Sequence, residues 1–429
     1  MLETTLTERP DLAVSEMAEN LIGSEIIKIA GEINEKIKKG ERIFNYTIGD
    51  FDPKIFPIPT ALNEEIIKAY NQGYTNYPEA NGILDLRQEV SKFLKEYEGL
   101  NYTSDEILIS AGARPLIYGV FSTLIDRGDK VIVPLPSWNN NHYCHLLGAQ
   151  PVYINTKIEN NFMPVADEIR PHLKDATMVA LCSPLNPTGT VFGKVQLAQI
   201  CDLILEENRR RNHSQKPLYL MYDQIYWMLT YGKTKHYDPV TLRPEMKDYT
   251  VYVDGISKCL AATGVRVGWA FGPKRIMDKM KAILSHLGAW APKPEQVATA
   301  RFLKNKNAVD EFLHSFKHEV EERLLKIYQG FEQLKKAGFR VNCVEPMAAI
   351  YLTVQFDLKG MKTKNGQVLA TQNDVTSYLL DEAKLALVPF YAFGSSHESD
   401  WYRLSVGTCK VLEIDELFET LRKALSQLH

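Results

Sequence analysis

Hydrophobic and polar positions follow two alternating periods along the middle of the chain, from about residue 60 to 290. Short apolar runs typical of buried strands occur at 106–110, 130–134, 150–154, 177–182, 217–222, 249–255 and 266–272. Apolar residues recur at helical spacing over 60–72, 84–99, 114–124, 195–210 and 275–287. This succession predicts an α/β fold with a large, doubly wound, mostly parallel sheet covered by helices on both faces.

The two flanking segments have different patterns. Residues 24–40 have helical spacing and stop at Gly40, and an extended connector broken by prolines follows. After residue 293 a long helical pattern precedes several strand candidates and a closing helix, which is typical of a smaller α/β unit. We therefore expect a large domain over 50–300 and a small C-terminal domain over 301–429, with the helix and connector of 1–49 belonging to the small domain.

Composition excludes several classes of partner. The 429 residues carry 50 basic and 53 acidic side chains, a net charge of -3, so no excess of charge indicates nucleic acid or an anionic membrane. No apolar stretch approaches the roughly 20 residues that cross a bilayer. The N-terminus lacks the pattern of a signal peptide, so we expect a cytoplasmic protein.

Metal and disulfide chemistry are not indicated either. The six cysteines are scattered without a C-x-x-C pair, which favours reduced thiols. His142 and His145 are spaced as two ligands on a helix could be, but no acidic or cysteine partner is near them in sequence. We interpret them as polar helix residues and predict no metal site.

In a parallel sheet, ligands bind at the carboxyl ends of strands, so the residues directly after each apolar run are the candidates for a site. Gly112 and Ala113 follow the first run and precede a helix, where backbone amides and the helix dipole favour a phosphate. Trp138 follows the second run and could stack on a flat ring or belong to the core. Asn186 lies between Pro184 and Pro187, a geometry that a structural turn could also use.

The later strand ends carry charged groups. Asp223 leaves an apolar strand three residues before Tyr226, and a buried carboxylate requires a cation or a protonated ring nitrogen. Lys258 follows Ser257 within a run of small and apolar residues, and Arg266 comes eight residues later. A desolvated lysine is a usable amine nucleophile that forms a Schiff base with an aldehyde. A cofactor with an aldehyde, a pyridine nitrogen, a ring hydroxyl and a phosphate matches this set, and pyridoxal phosphate has all four.

These motifs, in this order, resemble those of the class I/II aminotransferases, which are fold-type I pyridoxal phosphate enzymes. The resemblance extends over nearly the whole chain and is carried by "YTIGDFD", "YTNYPEANGILDLR", "SAGARP", "LPSW", "SPLNPTGT", "DQIY", "SKCLAATGVRVGW" and "WYRLSVG". It implies a homodimer that exchanges an amino group between an L-amino acid and a 2-oxo acid, with 2-oxoglutarate as acceptor.

The resemblance also implies a role for each matching residue. Lys258 would form the Schiff base and move the substrate proton, Asp223 would pair with the ring nitrogen, and Asn186 and Tyr226 would bind the ring hydroxyl. Trp138 would stack on the ring, Arg403 would bind the substrate, and Gly49 would close over the substrate. The phosphate site would be formed by Gly112, Ala113, Arg114, Ser257, Arg266 and, from a second subunit, Tyr77.

Substrate choice and reaction type are less determined. Arg114 matches a basic residue that reads the distal carboxylate of acidic substrates in aspartate-using relatives, with Ser24 assisting, although a salt bridge or solvent exposure would also suit an arginine. We expect aspartate or a related acidic or aromatic amino acid as donor. The alternative is a lyase using the same lysine, of the cysteine-conjugate or aminocyclopropane-carboxylate synthase type. We do not expect a DNA-binding regulator, because too few residues precede the first predicted helix to form its additional domain. A cofactor-free aldolase would leave Asp223 and Asn186 without a role.

Overall fold

The computed structural model describes residues 14–21, 25–212 and 214–429, and the side chains of 25–27 are not described. Ser24 therefore lies outside the described residues. The strands, in chain order, are β1 Phe44–Asn45, β2 Ile107–Ser110, β3 Lys130–Leu135, β4 Gln150–Asn155, β5 Ala176–Cys182, β6 Tyr219–Asp223, β7 Thr250–Gly255, β8 Gly268–Phe271, β9 Val341–Cys343, β10 Tyr351–Phe356, β11 Leu385–Ala386, β12 Val388–Pro389 and β13 Trp401–Ser405.

Seven of these strands form the large sheet that the sequence predicts. Its order is β2-β8-β7-β6-β5-β3-β4. The pairs β7-β6, β6-β5, β5-β3 and β3-β4 are parallel, while β8 runs antiparallel to both β2 and β7. The prediction of a mostly parallel α/β sheet is thus confirmed. A second sheet, of four strands in the order β12-β13-β10-β9, is antiparallel throughout.

Helices cover both faces of the large sheet. In chain order the helices are α1 Glu16–Glu19, α2 Glu25–Lys38, α3 Thr60–Asn71, α4 Leu84–Glu98, α5 Ala113–Leu124, α6 Asn140–Leu147, α7 Ala166–Ile169, α8 Lys194–Arg210, α9 Pro239–Leu242, α10 Ile256–Cys259, α11 Lys274–His286, α12 Lys293–Lys304, α13 Lys306–Lys336, α14 Gln372–Glu382 and α15 Ile414–Leu425. The long helical pattern after residue 293 is two helices, because the chain leaves the helix at Asn305, whose side chain caps α13.

Side chains of the central strands alternate between the two faces of the large sheet, and each face packs against helices to form a hydrophobic core. Met221 of β6 and Val253 of β7 pack with α5 and α11 on one face. Tyr222 and Tyr252 pack with α4, α8 and α12 on the other face. Consecutive residues of a strand point to opposite faces, so the end of β6 and β7 can present polar groups on both sides of the sheet.

The N-terminal connector lies against the C-terminal part of the chain. β1 pairs in parallel with β11, and the amide of Ser405 donates to the carbonyl of Tyr46. The amide of Asp52 likewise donates to the carbonyl of Gly407. These bonds hold the segment 46–52 beside the four-stranded sheet, close to the carboxyl ends of the large sheet. The division into domains at residues 50 and 300 stays a prediction.

Candidate active site

A cavity of about 550 Å³ lies at the carboxyl ends of the parallel strands of the large sheet. It brings together most of the residues that the sequence indicated. Those lining it are Gly49, Ala113, Arg114, Trp138, Asn186, Asp223, Tyr226, Ser257, Lys258, Arg266 and Arg403. They come from seven separate stretches of the chain. The topology of the large sheet places five strand-end turns side by side, while Gly49 comes from the N-terminal connector and Arg403 from β13 of the second sheet.

Lys258 lies on the short helix α10, directly after β7. Its Nζ donates to the carbonyl of Gly49 at 2.8 Å and lies 5.8 Å from the ring centroids of both Phe51 and Tyr226. Burial lowers the pKa of this amine from 10.5 to about 8. The carboxylate of Asp50 opposes the shift, and the guanidinium of Arg403 adds to it. The amine is thus more readily deprotonated than an ordinary lysine.

The pKa of Lys258 gives a direct prediction for the protein without cofactor. Only the neutral amine reacts with trinitrobenzenesulfonate, so its labelling rate should rise about tenfold per pH unit and level off near pH 8, where the pKa lies. The labelling of an exposed lysine, Lys423, is recorded in the same samples as the internal control. The labelling of each lysine can be followed by peptide mass spectrometry. A midpoint for Lys258 near the ordinary lysine value of 10.5 would contradict the prediction.

Asp223, at the end of β6, is a buried carboxyl group without a cationic partner among the described residues. It is 9% exposed, and its Oδ1 accepts from the amide of Ile225 at 3.1 Å. Burial raises its pKa from 3.8 to about 6. A cation placed in the cavity beside Asp223 would remove the cost of this isolated charge.

Two tyrosine hydroxyls meet beside the turn that carries Asn186. The hydroxyl of Tyr226 lies 2.6 Å from that of Tyr351, and both residues line the cavity. Burial raises the pKa of Tyr226 well above its ordinary value, so its hydroxyl stays protonated and can donate. Asn186 is buried, and its Oδ1 accepts from Nη1 of Arg403 at 3.1 Å.

One corner of the cavity presents an anion site. The helix α5 begins at Ala113 in the cavity wall, and Ser257 lines the wall beside it. Arg266 is held in place because its Nη1 donates to the carbonyl of Thr263 and its Nη2 to that of Ala111, both at 2.7 Å. Gly112 does not line the cavity. It has φ +85°, and a Cβ at this position would lie 2.4 Å from Nη2 of Arg266, so only glycine lets the guanidinium approach.

Arg403, on β13, is a buried guanidinium without an acidic partner in the described part of the chain. It is 1% exposed, and its Nη2 donates to the carbonyl of Thr47 at 2.6 Å. Its Cζ lies 4.9 Å and 5.0 Å from the ring centroids of Tyr351 and Phe393, and its Nε has no hydrogen-bond partner. A buried guanidinium with a free donor and no acidic partner among the described residues has the chemistry to bind a carboxylate.

Arg114 and Trp138 form the outer wall. The Cζ of Arg114 lies 5.4 Å from the ring centroid of Trp138, and among the described residues no carboxylate forms a salt bridge with this arginine. Its guanidinium is therefore available to an anion in the cavity. Of the two alternatives to substrate binding, no salt bridge is found among the described residues, whereas the side chain is exposed to solvent, although it also lines the cavity.

Tyr77 lies outside the cavity. Its side chain is 80% exposed, and its ring packs edge-to-face on Trp290 with 5.2 Å between the centroids. Within one chain it touches none of the other candidate residues named above. Its exposure is consistent with a position that faces a second subunit.

Sequence reasoning missed several residues of the cavity wall. Tyr351 opens β10, Asp50 lies in the connector, and Asn140 begins α6 with its amide donating to Ser137 Oγ at 3.1 Å. Tyr351 reads as an ordinary apolar strand residue, and no local signal separates it from its neighbours. Asn140 lies in the run of three asparagines after Trp138, whose polarity beside a strand end was the available signal.

The fold and the cavity together define a class of protein. The chain matches the family of class I and II aminotransferases over residues 42–421, and it belongs to this family. It is a transaminase. In the described residues, no helix is long and apolar enough to cross a membrane, and no three His, Cys, Asp or Glu side chains cluster as metal ligands would.

Similar proteins are aspartate aminotransferases. The chain is 30% identical to the aspartate aminotransferase of Geobacillus stearothermophilus over 99% of this chain and 96% of that protein. It is also 30% identical to a probable aspartate/prephenate aminotransferase of Rickettsia felis, over 87% of each chain. The crystal structure of the aspartate aminotransferase from Rhizobium meliloti superposes with a TM-score of 0.89 at 25% identity, covering 97% of this chain and 100% of that one.

Proposed function

We propose that this transaminase uses pyridoxal phosphate to transfer the amino group of L-aspartate, or of a related acidic or aromatic amino acid, to 2-oxoglutarate. One observation carries the proposal. A single cavity holds a lysine with a lowered pKa, together with a buried carboxyl group and a buried guanidinium that have no oppositely charged partner in the part of the chain that the structure describes. These three groups complement an aldehyde, a protonated ring nitrogen and a substrate carboxylate.

The residues of the cavity fit pyridoxal phosphate. Asp223 would pair with the ring nitrogen, which would supply the cation that this buried carboxyl group lacks. The start of α5 at Ala113, with Ser257 and Arg266, would hold the phosphate. Asn186 and Tyr226 would donate to the ring hydroxyl, and Trp138 would lie against the ring. When bound, the cofactor supplies a carbonyl for the amino group and an electron sink for the substrate.

The chain's own groups would then orient the substrate and move its proton. Arg403 would bind the α-carboxylate with Nε and an Nη, a bidentate pair that sets the direction of the Cα–H bond. The free amine of Lys258 would take the proton from the Cα of the amino donor. With the 2-oxo acid acceptor, the same amine would return a proton to Cα. The bond from Lys258 Nζ to the Gly49 carbonyl supports a role for Gly49 at the closing edge of the site.

Arg114 is the candidate for selecting acidic substrates. Because its side chain lines the cavity but is exposed to solvent, we expect Arg114→Gln to lower kcat/KM for aspartate and glutamate by only about 10- to 100-fold. Activity toward phenylalanine should change little, since no distal carboxylate is lost. Arg114→Lys, which keeps the charge, is the matched control and should retain more of the activity with acidic donors. Equal losses for aspartate and phenylalanine would contradict the assignment.

A homodimer is the expected assembly. Tyr77 and four further large apolar side chains, Ile67, Tyr70, Leu84 and Leu287, are exposed, and Trp290 is half-buried against Tyr77. An apolar surface of this kind is typical of a protein interface. Contact with a second copy would bury it and bring Tyr77 to the phosphate site of the partner subunit.

Subunit mixing tests the shared site. Lys258→Ala and Tyr77→Ala chains, each weakly active alone, should regain about a quarter of the wild-type activity when unfolded and refolded together in equal amounts. The reason is that half of the dimers are mixed, and one of the two sites in each mixed dimer has both residues. Size-exclusion chromatography with light scattering gives the assembly. Activity of the mixture no higher than the mean of the parents would contradict a site shared across the interface.

The proposed reaction is tested on the cofactor-loaded protein by adding each of the twenty amino acids without a 2-oxo acid. Aspartate or glutamate should remove the visible absorbance stoichiometrically and release its 2-oxo acid, with no ammonia. Adding 2-oxoglutarate should restore the absorbance. Ammonia that accumulates over many turnovers while the absorbance persists would instead support the lyase reaction.

A further inference from the structure

A second cavity, of about 800 Å³, lies behind the turn that follows β6. The adjacent residues Tyr226 and Trp227 line the first and the second cavity respectively. The second cavity is enclosed by the end of α4, the chain from residue 227 to 241 and the first half of α13. The proposed transaminase reaction uses no residue of the second cavity. Among the described residues, the two cavities have only this turn in common.

Four basic side chains surround the mouth of this second cavity. His314, Lys317 and His318 lie on one face of α13, and Lys235 comes from the facing loop. Within the described residues, none of the four donates a hydrogen bond or forms a salt bridge. Burial lowers the pKa of Lys317, although the nearby Glu321 opposes the shift. A part-buried ammonium group with this little compensation favours an incoming anion.

The acidic side chains of the cavity are already engaged. Glu98 accepts two hydrogen bonds from Nε2 of Gln224, at 3.0 and 2.8 Å. Asp238 Oδ1 accepts from the amides of Val240 and Thr241, both at 2.9 Å. Glu321 accepts from the amide of Gly232 at 3.0 Å. Within the described residues, none of these carboxylates forms a salt bridge with the four basic groups, although Glu321 lies near enough to Lys317 to oppose the lowering of its pKa.

An unsatisfied polar group lies in the wall of the same cavity. The side chain of His236 is 9% exposed, and neither ring nitrogen has a hydrogen-bond partner. Burial lowers its pKa to about 3, so the ring is a neutral imidazole with one donor and one acceptor. Its Nε2 lies 3.7 Å from Oε1 of Glu98, beyond hydrogen-bond distance. A buried polar group without a partner costs stability, which a ligand with a polar group would recover.

The remaining wall combines Thr230, Thr234 and Thr241 with a group of aromatic and apolar side chains. This group consists of Tyr97, Trp227, Met228, Tyr231 and Leu313. A bare inorganic anion would leave this surface uncovered, whereas an aromatic ring would fill it. Because the described residues contain no group of three metal-ligating side chains, the histidines act here as basic and hydrogen-bonding groups.

We propose that this second cavity binds a small carboxylic acid with an aromatic body. The carboxylate lies at the mouth between Lys317 and Lys235, and the ring lies on Trp227 above His236. The site is distinct from the amino-acid site, because the two cavities lie on opposite sides of the turn after β6. The turn after β6 borders both the second cavity and the catalytic cavity. Ligand binding in the second cavity requires no coupling to catalysis.

Calorimetric titration of the cofactor-loaded protein with phenylacetate tests the proposal. Arg403→Lys is used as the background, because it weakens binding of the probe in the catalytic cavity. Lys317→Gln in this background should raise the Kd of phenylacetate about tenfold, and Lys235→Gln should also raise it. Lys317→Arg keeps the charge and should bind nearly as the background does. Lys233→Gln, in the same loop but exposed and outside the cavity, is the matched control and should leave the Kd unchanged.

Three outcomes would overturn the proposal. The first is a phenylacetate Kd that neither Lys317→Gln nor Lys235→Gln changes, in variants whose thermal unfolding matches that of the background. The second is a change of the same size in Lys233→Gln, which would indicate a general effect of surface charge. The third is binding of acetate or inorganic phosphate as tight as that of phenylacetate, which would refute the aromatic class of ligand. The proposed transamination is measured separately, so its failure would not affect this result.

Discussion

Replacing Lys258 with alanine is expected to lower kcat/KM for transamination by roughly 10⁴-fold or more, because one side chain would both bind the cofactor and transfer the substrate proton. The substitution removes a cation whose pKa burial lowers to about 8, and only one hydrogen bond, to the Gly49 carbonyl, is lost with it. The fold should therefore persist, as circular dichroism and thermal unfolding can establish.

The measurement is the rate with aspartate and 2-oxoglutarate, alongside the visible absorbance of the cofactor-loaded protein. Lys258→Arg retains a charge but not a titratable amine, so it should be as inactive as the alanine variant. Lys423→Ala, an exposed lysine on α15, is the control and should keep full activity. Activity of Lys258→Ala within tenfold of wild type would remove Lys258 from the mechanism.

Replacing Asp223 with asparagine should have the second largest effect and should act on activity and stability in opposite directions. Asparagine keeps an oxygen for the Ile225 amide but lacks the negative charge that would hold the ring nitrogen protonated. We expect kcat/KM to fall by about 10²- to 10³-fold, the usual cost of removing one preorganised electrostatic group. The cofactor-free protein, in contrast, should gain stability near neutral pH.

The sign of the stability change follows from the raised pKa. Asp223 titrates at about 6 in the folded protein against an ordinary 3.8, so between these values the folded state binds more protons than the unfolded state. Its contribution to stability is then lost as the pH rises through this window, and above pH 6 the charged group destabilises the cofactor-free fold by about 3 kcal/mol. Asp223→Asn should therefore raise the free energy of unfolding by much of this amount at pH 7.5 and by little at pH 4.

Asp254 offers a matched control on the other face of the sheet. It lies on β7, is more deeply buried than Asp223, accepts from Trp227 Nε1 at 2.9 Å, and burial raises its pKa to about 7. Asp254→Asn should also stabilise the cofactor-free protein at pH 7.5, but it should leave kcat/KM within about tenfold of wild type because it faces away from the cavity. Urea denaturation and steady-state kinetics of both variants give the comparison. Equal kinetic losses would show that burial of a charge, and not contact with the cofactor, explains Asp223.

Local signals were sufficient for much of the large sheet. Period-two and unbroken apolar runs mark strands, and helical spacing with terminal Gly or Pro marks helices, because these patterns reflect burial of one face. The predicted runs therefore coincide with β2 to β8 in the structure. The break at Asn305 was missed, since the apolar spacing continues on both sides of it. The direction of β8 was also beyond local signals, because a strand has the same pattern whether its neighbours are parallel or antiparallel.

The sequence by itself predicted the α/β fold, a pyridoxal phosphate enzyme and the identity of the candidate groups, and it left the choice between a transaminase and a lyase open. Lys258, Asp223 and Asn186 each follow an apolar run, and residues at the carboxyl ends of parallel strands must meet at one edge of the sheet. The tertiary structure decided which groups have partners. Among the described residues, Nε of Arg403 and the ring of His236 have no hydrogen-bond partner, Tyr351 contacts Tyr226, and Tyr77 is exposed. Pairing and burial depend on contacts between residues far apart in the chain, and these contacts, which set pKa values and binding sites, leave no local pattern in the sequence.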